Sequence, residues 1–317
     1  MNEKIWKMRT FRTVLLLCMT FLLLITVCGK NQAAADQPDD DAAISQENAE
    51  SIPIEIVSTD GFTMNYFRFG QGDKTFVMLP GLSVQGVMQS AEQIASAYQL
   101  LTEGFTIYVF DPRNELPESY SVTEMAQDTA SVLNALGLEN VYIMGASMGG
   151  MTALEMAATH PELIEKMVLA SSAVQMKEEQ FRVIDEWIRL AQEGNAEDLY
   201  LAFGKAVYPE EVFEQAKEAL KAAAETVTED ELQHFVILAD SLKNFDVTDK
   251  MDKIECPVLA VNDKGDQVLG AEAVETMEQY MSLRPDWDFY MYDGYGHALY
   301  DTAPDFKDRM LEFFTGQ

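Results

Sequence analysis

The chain has 317 residues, of which 48% are hydrophobic, and this is enough apolar material to fill the core of a globular domain. Its formal net charge is −31 at pH 7, so its surface should repel nucleic acid and anionic lipid headgroups. We therefore expect no nucleic-acid partner, although charge alone selects no substrate.

The first 27 residues have the pattern of an export signal. An apolar run covers residues 14–27 and follows four basic residues, Lys4, Lys7, Arg9 and Arg12. The run is shorter than the roughly 20 apolar residues that a membrane-spanning helix needs. Residues 1–27 are therefore predicted to be a signal peptide, with an uncleaved membrane anchor as the alternative.

Residues 25–29 (Ile-Thr-Val-Cys-Gly) resemble the bacterial lipobox, which implies that Cys28 is lipidated and becomes the first mature residue. Residues 28–50 are acidic and aperiodic, and we predict a disordered acidic tether. The protein is thus expected at the outer face of the bacterial cytoplasmic membrane, held by an N-terminal lipid or signal anchor, or otherwise secreted. Cys256 is expected to be a buried structural thiol.

From residue 51 the pattern changes to short apolar runs. Two strands, residues 52–57 and 63–69, are predicted to form a hairpin around Asp60-Gly61, and Pro53 places the first of them at a sheet edge. The alternation of Ile52, Ile54 and Ile56 gives this strand one apolar face. Further predicted strands are residues 76–79, 105–110, 141–144, 167–170, 258–261 and 287–292.

Helical patterns separate these runs, and the clearest begins at Ser121 with a capping-box spacing to Glu124 and ends near Gly137. Near-continuous apolar strands separated by helices imply an α/β fold with a mostly parallel sheet flanked by helices. Residues 175–249 contain no convincing strand. Three amphipathic helices are distinguishable there, at residues 181–190, 212–224 and 229–238. We predict a helical cap at 175–249, inserted after the sixth strand of a core formed by residues 51–174 and 250–317.

A Gly-x-Ser-x-Gly motif, Gly145 to Gly149 with Ser147 at its centre, directly follows the predicted strand at 141–144. A helical pattern follows the motif. A sharp turn between strand and helix exposes the serine hydroxyl, and glycines allow the backbone to crowd at that point. The turn also places Ser147 at a helix N-terminus, where free N–H groups favour developing negative charge.

With this motif, the strand order and the inserted cap, the chain resembles the α/β-hydrolase fold family over about residues 52–314. Further matching segments are Leu79-Pro80-Gly81-Leu82, Asp111-Pro112-Arg113, His160-Pro161 and Cys256-Pro257. The resemblance implies a serine hydrolase of the esterase or lipase type with Ser147 as nucleophile. It also implies an oxyanion hole formed by the N–H groups of Leu82 and Met148.

A serine nucleophile needs a base and a group that orients the base. The chain has three histidines, of which His160 lies at a predicted helix end and His234 inside a predicted cap helix. His297 lies in a glycine-rich loop after the last strand, where the family carries its base. The acid is expected in the loop after residues 258–261, where Asp266 fits best and Asp263 is the alternative.

We therefore expect cleavage of a carboxylic ester or thioester through an acyl-enzyme, without cofactor or metal, on a small-molecule acyl substrate. The alternatives are a carbon–carbon-bond hydrolase or peptidase of the same fold, or a non-catalytic ligand-binding member. Six side chains could line an acyl pocket or belong to the plain core: Met88, Met148, Met151, Met176, Phe181 and Trp187.

Overall fold

The computed structural model describes residues 51–316. The predicted signal peptide at residues 1–27, the tether at 28–50 and the lipidation site Cys28 lie outside these residues. Among the described residues, none of the helices combines the length and apolar character that crossing a bilayer would require.

A sheet of eight strands forms the centre of the described part of the chain. Its spatial order is β1-β2-β4-β3-β5-β6-β7-β8. The bounds are β1 Glu55–Thr59, β2 Phe62–Phe69, β3 Lys74–Leu79, β4 Phe105–Arg113, β5 Val141–Ala146, β6 Ile164–Ala170, β7 Val258–Asp263 and β8 Trp287–Tyr292. The pairs β1–β2 and β2–β4 are antiparallel, and all later neighbours are parallel. The predicted α/β fold with a mostly parallel sheet is confirmed.

The described residues form ten α-helices. They are α1 Ala91–Ala97, α2 Val122–Leu136, α3 Met148–Thr159, α4 Glu178–Gln192, α5 Ala196–Val207, α6 Glu210–Ala224, α7 Glu229–Ser241, α8 Gly270–Met281, α9 Leu299–Thr302 and α10 Phe306–Thr315. Short 3₁₀ turns lie between several of them.

The hydrophobic core forms two layers, one on each face of the sheet. Successive strand residues alternate between them: Val77 and Leu79 belong to one layer, whereas Phe76 and Met78 belong to the other. Because both faces are covered, the central strands are apolar along nearly their whole length. This explains why β7 is buried at every position.

Local sequence signals place α2 where it was expected. The Ser121 side chain accepts a hydrogen bond from the Glu124 N–H, and the Glu124 carboxylate accepts one from the Ser121 N–H. Gly137 ends the helix in the left-handed conformation, with φ of 68°. The capping box and the terminal glycine therefore fix both ends of α2.

Four helices, α4 to α7, lie between β6 and β7, in the segment for which a helical cap was predicted. The two ends of this insertion pair with each other. The Met176 N–H donates to the Phe245 carbonyl at 2.9 Å, and the Val247 N–H donates to the Val174 carbonyl at 3.0 Å. The segments by which the chain enters and leaves the insertion therefore lie side by side, joined by backbone hydrogen bonds. The division into core and cap as separate domains stays a prediction.

Two sequence predictions need correction. The first strand begins at Glu55, not at residue 52, and the side chains of Ile54 and Ile56 are 44% and 65% exposed. Their alternation therefore marks a solvent-facing side of an edge strand, and Val57 is the strand's buried residue. Residues 175–249 were expected to be helical throughout, but α5 was not distinguished as a separate helix because its boundary signal, the Asn195 side chain that accepts from the Asp198 N–H, was not recognised.

Candidate active site

Ser147 occupies the turn between β5 and α3 in a strained backbone conformation. Its φ is 51° and its ψ is −115°, a region that residues with a side chain rarely adopt. Surrounding hydrogen bonds hold it there: its N–H donates to the Ala170 carbonyl at 2.9 Å, and its carbonyl accepts from the Ser172 hydroxyl at 3.1 Å. Such over-determined strain is typical of functional residues.

The positions two residues before and two residues after Ser147 leave no room for a side chain, so they require glycine. A Cβ on Gly145 would lie 2.3 Å from the Gly149 carbonyl oxygen. A Cβ on Gly149 would lie 2.1 Å from the Leu79 carbonyl oxygen. Both contacts are far shorter than van der Waals distance, so only glycine lets α3 start this close to β3 and β5.

The structure brings Ser147, His297 and Asp266 together in one hydrogen-bonded chain. The Nε2 atom of His297 lies 2.9 Å from Ser147 Oγ, and its Nδ1 atom lies 2.7 Å from Asp266 Oδ2. A carboxylate only accepts, so Nδ1 carries the proton and Nε2 is left to accept from the serine hydroxyl. All three side chains are buried. This arrangement is able to take a proton from the serine.

The loop after β7 also holds the second oxygen of the Asp266 carboxylate. Oδ1 accepts from the N–H groups of Val268 at 2.8 Å and Leu269 at 2.9 Å. The carboxylate is thus fixed in position by its own loop while its other oxygen faces His297.

Asp263, the alternative acid, does not contact His297 and instead joins two loops. Its Oδ1 accepts from the Gly265 N–H at 2.8 Å, and its Oδ2 accepts from the Tyr295 N–H at 2.8 Å. Asp263 therefore shapes the loop that carries Asp266 and braces the loop that carries His297.

The N–H groups predicted for an oxyanion hole lie in segments that meet at Ser147. Met148 begins α3, where the first N–H groups have no acceptor within the helix. Leu82 follows Gly81, and a Cβ on Gly81 would lie 3.2 Å from the Ser147 Cβ. The loop after β3 therefore passes directly against Ser147, and the role of the two N–H groups stays a prediction.

A cavity of about 330 Å³ opens above Ser147 and His297, between the sheet and the inserted helices. Met151, Met176 and Trp187 line it, as the sequence suggested. Met88, Met148 and Phe181 are not among its lining residues, so for these three the pocket interpretation is wrong. The lining is mainly apolar, which suits an acyl or other hydrocarbon group.

Two hydrogen bonds tie the insertion to the loops that carry Asp266 and His297. The Gln180 side chain of α4, itself buried, donates from Nε2 to the Leu269 carbonyl at 2.6 Å. The Ala298 N–H donates to the Val207 carbonyl at the end of α5 at 2.9 Å. Sequence reasoning missed both contacts, since no short-range pattern reports a bond between segments so far apart in the chain.

The other two histidines lie apart from this chain of hydrogen bonds. His160 ends α3 and faces Glu162 at 3.6 Å, and His234 lies within α7. Among the described residues, no group of three or more His, Cys, Asp or Glu side chains is placed to hold a metal ion. Cys256 is buried, as expected, and burial raises the pKa of its thiol to about 12.

Comparison with known proteins gives consistent matches. A sequence profile of the alpha/beta hydrolase fold matches residues 74–304. The chain is 27% identical to the putative carbamate hydrolase RutD of Agrobacterium fabrum over 233 residues, which are 69% of this chain and 88% of that protein. It is 31% identical to the serine hydrolase BPHL of Mus musculus over 136 residues, which are 40% of this chain and 45% of that protein.

Solved structures show the same fold. MGS-M2, an alpha/beta hydrolase enzyme from a Medee basin deep-sea metagenome library, superposes with a TM-score of 0.73 at 22% identity, covering 83% of this chain and 98% of that one. The enol-lactonase from Burkholderia xenovorans LB400 superposes with a TM-score of 0.70 at 17% identity, covering 82% of this chain and 100% of that one.

Proposed function

Because this chain belongs to the α/β-hydrolase family, we propose that it is a serine hydrolase that cleaves a carboxylic ester or thioester through an acyl-enzyme on Ser147. The observation that carries the proposal is the hydrogen-bonded chain Ser147–His297–Asp266 at the base of an apolar cavity. A serine hydroxyl is a weak nucleophile, and this arrangement supplies the base and the orienting carboxylate that it needs.

The proposed reaction has two stages. Ser147 Oγ attacks the ester carbonyl carbon while His297 Nε2 takes the hydroxyl proton, and the N–H groups of Leu82 and Met148 hold the oxyanion. His297 then gives the proton to the leaving alcohol or thiol, and an acyl-serine remains. In the second stage, His297 activates a water that releases the acid and restores Ser147. Asp266 stabilises the imidazolium in both stages.

A fluorophosphonate probe tests the activated serine directly. We expect the purified protein to be labelled, because the probe phosphonylates a serine whose hydroxyl is activated by a base. Ser147→Ala should remove the label, whereas Ser131→Ala, on α2 with its hydroxyl bonded to the Gln127 carbonyl of its own helix, should retain it. Failure of a folded sample to label would contradict the proposal and favour a ligand-binding protein.

A series of p-nitrophenyl esters of increasing acyl length then tests the substrate class. Turnover should rise with chain length until the acyl group fills the cavity and then fall. A matched carbamate belongs in the series, because the Agrobacterium fabrum relative is named a putative carbamate hydrolase. A clear preference for the carbamate would replace the ester as the favoured substrate.

We further propose that the protein is exported and held at the outer face of the cytoplasmic membrane through Cys28. Cys28→Ser should release it from the membrane fraction or block its processing, since serine has no thiol to accept a lipid. Membrane fractionation of bacterial cells measures this, with Cys256→Ser as the matched control. Membrane attachment of Cys28→Ser with an apparent mass equal to that of the parent protein would instead indicate an anchor that is cleaved in neither.

A further inference from the structure

The loop after β3, residues 80–87, contains Leu82 and is joined to the insertion through one side chain. Gln85 lies three residues after Leu82 in this loop. Its Nε2 atom donates to Glu231 Oε1 of α7 at 3.1 Å. Its Oε1 atom accepts from the Tyr200 hydroxyl of α5 at 3.0 Å. One amide group therefore connects the loop to two different helices of the insertion.

The two partners fix which way the Gln85 amide group points. A carboxylate only accepts hydrogen bonds, so the NH₂ group faces Glu231 and the amide oxygen faces Tyr200. Burial raises the pKa of the Tyr200 hydroxyl, which therefore stays protonated and donates. Glu231 is held by its own helix, since its Oε2 atom accepts from the Thr228 N–H at 2.7 Å. The capping box of α7 thus positions Glu231 for Gln85.

Two further hydrogen bonds hold the same loop. The Ser83 hydroxyl donates to the Gln85 carbonyl at 2.7 Å, so the backbone position of Gln85 is passed on to the residue next to Leu82. The Val87 N–H donates to Asp111 Oδ1 of β4 at 2.9 Å, which fixes the end of the loop to the sheet. The loop is therefore held by the sheet at its end and by the insertion at Gln85.

We propose that Gln85 is a positioning residue that holds the Leu82 N–H in place for the oxyanion by tying its loop to α5 and α7. The inference rests on the proposed hydrolase function and deepens it, because the oxyanion hole is then complete only while the insertion covers the cavity. Preorganised donors stabilise a transition state because they need no rearrangement as charge develops. Such a contact depends on geometry held to within about 0.5 Å.

Gln85→Leu removes both side-chain hydrogen bonds and keeps a side chain of similar size. We expect kcat for a p-nitrophenyl ester to fall by about tenfold to hundredfold with little change in KM, because the donor is loosened in the transition state but not removed. Tyr200→Phe should give a smaller fall in kcat. Tyr280→Phe, which removes a hydroxyl from α8 outside the insertion, should leave kcat unchanged.

Two matched ketones distinguish positioning from an effect on the cavity, which Gln85 also lines. Ser147 Oγ should add to the carbonyl carbon of a trifluoromethyl ketone while His297 takes the proton, which places an oxyanion in the hole. The corresponding methyl ketone should bind without this addition. In Gln85→Leu, affinity for the trifluoromethyl ketone should fall by about the same factor as kcat, and affinity for the methyl ketone should barely change. A raised KM with unchanged kcat, or equal losses for both ketones, would overturn the positioning role.

Exchanging the two side chains provides a rescue. Gln85→Glu places two carboxylates against each other and should lower kcat. Adding Glu231→Gln should recover most of the loss, because the new amide group at position 231 can donate to position 85 while its oxygen still accepts from the Thr228 N–H. A folded double variant that is no more active than Gln85→Glu would overturn the proposal.

Hydrogen exchange separates this proposal from the proposed function, because it needs no substrate. The backbone amides of residues 81–87 should exchange faster in Tyr200→Phe, which leaves the sequence of the loop unchanged, and not in Tyr280→Phe. That result would support the connection between loop and insertion even if no ester is hydrolysed. Equal exchange in Tyr200→Phe and the parent protein would overturn it even if esters are turned over.

Discussion

Replacing Ser147 by alanine should lower kcat by about a millionfold, to the level that binding and oxyanion contacts alone provide. The substitution removes the oxygen that attacks the carbonyl, and His297 then has no proton to take. Steady-state hydrolysis of the best p-nitrophenyl ester measures the effect. The Ser147→Ala protein should still bind the ester, so a substrate analogue should show a nearly unchanged Kd.

The fold should survive this substitution. Serine and alanine both carry a Cβ, so the strained conformation at φ of 51° costs about the same in both. The loss is one hydrogen bond to His297, about 1 kcal/mol, which corresponds to a shift in Tm of a few degrees. Substantial residual turnover by the folded Ser147→Ala protein would mean that Ser147 is not the nucleophile.

Asp266→Asn should lower kcat by about ten-thousandfold. An asparagine amide group facing His297 would donate, so the imidazole would turn its proton to Nε2 and could no longer accept from Ser147. The measurement is kcat of Asp266→Asn beside kcat of Asp263→Asn, since each substitution removes one buried carboxylate, at the end of β7 or in the loop directly after it.

Asp263→Asn should affect stability more than chemistry. Both carboxylate oxygens of Asp263 accept backbone N–H groups, and an amide nitrogen would replace one acceptor with a donor. We expect a loss of about 1–3 kcal/mol in the free energy of unfolding and a much smaller fall in kcat than for Asp266→Asn. If Asp263→Asn had the lower kcat of the two folded variants, the assignment of the acid would be wrong.

The residues of the site could be predicted where a signal lies close to them in the sequence. Ser147 is marked by glycines that the turn requires, and His297 by its place after the last strand. The choice between Asp266 and Asp263 depends on which carboxylate the loop turns toward His297. Asp263 ends β7 and Asp266 lies in the loop that follows, and only the three-dimensional path of the chain shows which of them reaches His297.

The fold was predictable for a similar reason. The apolar strands and the capped helix α2 carry signals within a few residues, and both lie where they were expected. The prediction for the first strand was wrong in part, because the alternation of isoleucines identifies one face of a strand but not whether the core covers that face. Ile56 faces solvent.

The bonds from Gln180 to the Leu269 carbonyl and from Ala298 to the Val207 carbonyl have a kinetic consequence. The Leu269 N–H also donates to the Asp266 carboxylate, so the insertion helps to hold Asp266 and His297 in place as well as covering the cavity. Any outward swing of the inserted helices would loosen both loops at once. Admission of substrate to the cavity and readiness of Ser147 and His297 for proton transfer would therefore be linked. While the inserted helices are swung outward, the site would not be arranged for the reaction.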